Sequence, residues 1–156
     1  MARFAQNTEV SVEKSRAEIE TILARYGASH FAYMTGPGTA VIAFQAKDRR
    51  IRFDLPLPDR ADKKFARDGR GSIRTMEKRY AAWEQACRQS WRALALVIKA
   101  KLEAVESGIT EFENEFMAHI VMPDGLTAAQ HVRPWIASAY QGGDMPALLP
   151  PTRSSS

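Results

Sequence analysis

Cysteine is nearly missing from this chain of 156 residues: Cys87 stands alone. A single thiol excludes an internal disulfide and any zinc site built on cysteine pairs. Long hydrophobic runs are missing as well. The longest, Ala93 to Ile98, is six residues, where a membrane-spanning helix needs about 20. The opening MARFAQNTEV has no apolar centre, so no secretory signal is expected there, and the expectation is a cytoplasmic protein without a membrane partner. Catalytic signatures are equally scarce. Gly36-Pro37-Gly38 lacks the Lys-Ser/Thr and the following helix of a phosphate loop, and no Gly-x-Ser-x-Gly occurs. His30, His119 and His131 share no metal-ligand spacing. A His119 site with Glu111 or Glu115 is conceivable, but an ordinary polar surface is the commoner outcome. No enzyme, metal or cofactor is therefore expected.

What is present first is a stretch without glycine or proline, Met76 to about Glu106, dense in Ala, Leu, Glu, Gln, Lys and Arg. These residues lose least on entering a helix. Such a helix would span about 45 Å. Steps of about 100° per residue place Met76, Tyr80, Trp83, Cys87, Trp91, Leu94, Ile98 and Val105 on one stripe, which reads as core. Cys87 then reads as a buried structural thiol.

The other elements follow from local signals. Ser11 can cap a helix carrying Val12, Ser15, Ile19, Ile22, Leu23 and Tyr26, closed by Gly27. Three strands are predicted: His30 to Thr35, Thr39 to Ala46, and Arg49 to Leu55. In the last, Ile51, Phe53 and Leu55 face one way and Arg50, Arg52 and Asp54 the other. Pro56 and Pro58 end it. Thr110 with Glu113 matches a capping box for a short helix, His119 to Met122 is a short apolar piece, and Thr127 starts a last helix that Pro134 should kink or split. The fold class is therefore α+β: a three-stranded antiparallel sheet packed on one face by an N-terminal helix and one long central helix, followed by short C-terminal helices. Residues 1–10 read as a lead-in, 11–141 as a single domain, and 142–156 as a Pro/Ser-rich tail whose Met145, Leu148 and Leu149 could dock on the body. The leading order of elements is that of double-stranded-RNA-binding domains, but the long helix is about twice too long for one.

Charge is unevenly spread. From Lys47 to Arg79 there are twelve Lys/Arg against six Asp/Glu, whereas Leu102 to Val132 holds six acids and no Lys or Arg. Arg50 and Arg52 project from the polar side of a strand. Arg60, Lys63, Lys64, Arg67 and Arg70 lie in the loop Asp59 to Ser72. Arg74, Lys78, Arg88, Arg92 and Lys99 continue along one flank of the long helix. If these three surfaces converge, they form a groove able to follow a phosphate backbone. A solvated surface with local acid partners is the competing outcome for any one residue. Aromatic interleaving is thin, with only Phe65 inside the basic loop.

The segments RQSWRALALVIKAKLEAVESGITEFENEF, then MPDG, and the earlier VSVEKSRAEIETILARYGA resemble a family of small phage- and prophage-encoded proteins without a known catalytic motif. The resemblance covers most of Val10 to Leu149. It implies a place among phage genes for DNA replication or recombination and carries no residue roles. The expected function is an accessory nucleic-acid binder, of DNA rather than RNA. The alternative is a protein–protein module, such as a phage inhibitor of a host defence or nucleic-acid enzyme. In that case the acidic segment 103–115 could dock on a basic partner or on a second copy of the chain.

Overall fold

A computed structural model describes residues 5–143. The sheet is a meander of β1 (Ser29–Gly36), β2 (Thr39–Ala46) and β3 (Arg49–Pro56), antiparallel throughout. Pro37-Gly38 makes the first hairpin turn, with Gly38 at φ 72°, the positive value required at the second central position of a type II turn. Lys47-Asp48 makes the second, with both residues at positive φ, as a two-residue hairpin of matching twist demands.

Period-two alternation decides the buried face. Ala40, Ile42, Phe44 and Ala46 of β2 and Ile51 and Phe53 of β3 are buried. Across that face lie α1 (Val12–Arg25) and α2 (Met76–Glu106). The Ser11 hydroxyl accepts from the Lys14 amide to start α1, and Gly27, at φ 97°, closes it as the Ala28 amide donates to Leu23 O. Thr75 starts α2 in the same manner as Ser11. The α+β arrangement expected from the pattern is the one observed.

Three local expectations need correction, and one piece left unassigned by the sequence finds its place. Met76 and Tyr80 are exposed, not core, because a 31-residue helix overruns eight-residue strands and its first two turns meet no sheet. Thr110 does not cap α3 (Phe112–Phe116): Glu111 precedes that helix without a side-chain cap. Thr110 belongs instead to the exit of α2, where the Ile109 and Thr110 amides both donate to Ala104 O. The piece after α3 extends the sheet. Ile120 bridges Ile51, and the Val121 amide donates to Arg50 O at 2.8 Å, so β3 is less of an open edge than its sequence implies. Finally, α4 (Ala128–Gly142) runs through Pro134 without splitting. A capping box of Thr127 and Gln130 starts it and Gly143 ends it in the left-handed region. The docking residues expected in the tail lie outside the described residues, and no described helix is long and apolar enough to cross a membrane.

His119 stacks on Phe53, ring centroids 4.0 Å apart, and this burial, with Lys101 nearby, lowers its pKa. The folded protein therefore favours neutral His119, so this contribution to stability is complete above the ordinary histidine pKa. It is lost as pH falls from about 6.5 through the lower folded value. Urea midpoints measured from pH 8 to 5 should fall on the acid side, and more shallowly for His119→Phe; parallel curves would show that His119 is not the titrating group.

Candidate nucleic-acid interface

The loop between β3 and α2 holds one short 3-10 turn, Lys63–Phe65, and is braced by its own aspartates. Asp59 Oδ1 accepts from the Ala61 amide, Asp62 Oδ1 from Lys64, and Asp68 Oδ1 from both Arg70 and Ser72. These backbone donors, first Ser72 and then Arg70, also lower the Asp68 pKa. Arg67 bridges Ile73 across the loop, the Arg74 amide donates to Ala66 O at 2.8 Å, and buried Phe65 roots the loop against α2. Short Asp side chains that capture amides two residues on are the usual makers of such turns.

From Arg60 to Arg79 the chain carries eight Lys/Arg and three Asp/Glu. None of the ion pairs among the described residues involves a cation from this stretch. Lys63, Lys64, Arg67, Arg70 and Lys78 are exposed. Arg67 donates to Gly71 O, which orients its guanidinium without neutralising it. Arg60 lies over the Tyr80 ring at 4.4 Å and near Trp83, whose Nε1 donates to Pro58 O. Arg74 is half-buried and points back toward Phe65 O. Around these charges stand exposed Ile73, Met76 and Tyr80.

The remaining candidates do not join this surface. Arg50 is exposed near the opposite end of β3, about 20 Å from the loop by strand rise. Arg52 serves the fold: it donates to Gly125 O at 3.0 Å and Gln130 Oε1 at 3.1 Å, and its Nε lies 3.3 Å from Asp54. Arg88 donates to Gln85 Oε1, and Gln85 in turn holds Thr8 O. Arg92 pairs with Glu18 of α1. Sheet, loop and helix flank therefore do not converge in one groove; the compact cationic surface is the loop with the first turns of α2. Arg79 and the exposed Tyr80 belong to it and were not among the sequence candidates. The signal for Tyr80 was present but ambiguous, because an apolar stripe does not say where the sheet stops.

Arg52→Ala should accordingly cost stability, about 0.5–1.5 kcal/mol, since it removes the bonds that tie β3 to Gly125 O and Gln130 Oε1, the latter oxygen still held by the Thr127 amide. Thermal melts beside Arg50→Ala, expected to be near neutral, check this. Equal melting points for the two variants would show that Arg52 does not anchor α4.

The acidic segment is partly spent internally: Glu113 pairs with Arg49 and Glu115 with Lys101, each at 3.3 Å. That removes Glu115 from any His119 pairing, as does the stacking of His119 on Phe53. Among the described residues no three His, Cys, Asp or Glu side chains gather as a metal site. Cys87 is buried, and burial first, then Glu84, raises its pKa, the opposite of what an activated thiol requires. No family model, curated protein or solved structure matches this chain.

Proposed function

We propose that this chain is a non-enzymatic nucleic-acid-binding accessory protein that grips a phosphate backbone with Lys63, Lys64, Arg67, Arg70, Arg74 and Lys78. The observation that carries this reading is the concentration, on an aspartate-braced loop, of cations without carboxylate partners among the described residues. A braced loop loses less entropy on binding than a loose one. The exposed Tyr80 ring, held beside Arg60, offers a face on which an unpaired base could stack. The resemblance to phage-encoded proteins is what favours DNA over RNA.

Anisotropy titrations against single- and double-stranded DNA and RNA at several salt concentrations test the reading. Affinity must fall steeply and log-linearly with salt. No salt-sensitive binding to any of the four would overturn it.

The second reading is a protein-binding module of the phage-inhibitor kind. It is favoured by α4, which has no buried residue and leaves Val132, Ile136 and Tyr140 exposed. A partner held there would tolerate salt and be lost on Ile136→Asp.

A further inference from the structure

The inner side of α2 carries Cys87, Trp91, Leu94, Ala95, Ile98 and Leu102 into the core. At about 100° per residue, the side directly opposite carries Ala82, Gln85, Ala86, Gln89, Ala93, Leu96, Val97 and Ala100, with no charge among them. A surface helix normally turns charge to solvent there. This helix instead floors an open groove of about 1230 Å³, lined chiefly by apolar side chains. Val97 is 46% exposed, and Ala93 and Ala100 are exposed as well. Walls stand only along the N-terminal half. Ala5 and Gln6 form one, held as Gln85 donates to Thr8 O and Gln89 to Gln6 O; Pro56 to Pro58 form the other.

We infer that this groove receives the α2 of a second copy of the chain, antiparallel, across a two-fold axis at Ala93. Charge selects both occupant and direction. Lys78 lies at the N-terminal end of the face and Glu103 near its C-terminal end, both exposed and neither in an ion pair among the described residues. Antiparallel pairing about Ala93 brings Lys78 of each copy within about one and a half turns of Glu103 of the other, on the same flank. Parallel pairing would set like charges together. A two-fold interface requires that residue i meets j and j meets i, and the sequence meets this condition. Ala82, Ala86, Ala100 and Ala104 are spaced symmetrically about Ala93, at 11 and 7 residues on either side. Alanine at each crossing lets the backbones approach closely. The unwalled ridge from Ala93 to Ala104 of one copy then enters the walled half of the other. Lys64, Phe65 and Arg74 also line the walled end of the groove, so the pairing adjoins the proposed nucleic-acid surface while resting on different observations, and it would carry two basic loops to opposite ends of one assembly.

The test is sedimentation or light scattering of the full chain across micromolar concentrations, without nucleic acid. Twice the 17.4 kDa chain mass is expected. Ala93→Glu places two like charges at the axis and should give a monomer with the native circular-dichroism spectrum, melting lower only by the loss of association. Lys78→Glu and Glu103→Lys should each raise the dimer dissociation constant at least tenfold. Mixing those two variants should restore a mixed dimer, because every cross-pair is then of opposite sign. A native chain that stays monomeric, or single variants that fail to complement each other, would overturn the antiparallel pairing and leave the groove to another occupant.

Discussion

Trp91→Ala is expected to destabilise the protein by about 3–5 kcal/mol, the usual loss when a buried aromatic is truncated and its space only partly collapses. Trp91 is 1% exposed at the middle of the inner side of α2, in one cluster with Ile19, Leu23, Ile42 and Phe44. The Arg16 guanidinium covers its ring at 5.6 Å. A domain of this size is stable by about 5–15 kcal/mol, so the variant would forfeit a large share of the total. Urea unfolding followed by circular dichroism reads the effect as a lower midpoint at unchanged slope. Tyr80→Ala is the internal control. It lies on the same sequence stripe but outside the core, 41% exposed, with its ring against Arg60 and Trp83. Its loss should stay near or below 1 kcal/mol. A Trp91→Ala loss as small as that of Tyr80→Ala would mean that α2 does not centre the core.

The other large effect belongs to the basic loop. Replacing Lys63, Lys64, Arg67 and Arg70 together with alanine should reduce nucleic-acid affinity on the order of 100-fold or more near 0.1 M salt, if at least two of them neutralise phosphates. Each lost contact should also flatten the log–log salt slope by about 0.7–0.9. All four side chains are exposed, and the aspartates that brace the loop bind backbone amides rather than these cations. The fold should therefore survive. Lys99→Ala controls for net charge: it removes an exposed cation from α2 far from the loop and should leave the slope unchanged. If the quadruple variant and Lys99→Ala behaved alike, binding would be governed by overall charge and the loop would not be its seat.

Much of the fold is legible in the chain because its signals are local. Ile51, Phe53 and Leu55 alternate at a strand's own period, and β3 buries Ile51 and Phe53. Pro37-Gly38 demands a turn where one occurs, and Ser11 and Thr127 cap helices that begin one residue later. Thirty-one residues without glycine or proline make one unbroken helix. Each outcome rests on dihedral and capping preferences set within a few residues.

The candidate site was legible only as a concentration of charge. Which cations remain available was decided by partners remote in sequence: Gly125 and Gln130 for Arg52, Glu18 for Arg92. Where the core stripe of α2 stops was decided by the length of the sheet beneath it, which exposes Met76 and Tyr80. Thr110 was claimed by the exit of the preceding helix before it could cap the next. By itself, then, the sequence determined the main elements, their order and the faces that α1, β2 and β3 bury, since those depend on neighbours along the chain. Only the tertiary structure decided which charges are spent inside the fold and which apolar residues stay uncovered, because burial and ion pairing depend on neighbours in space.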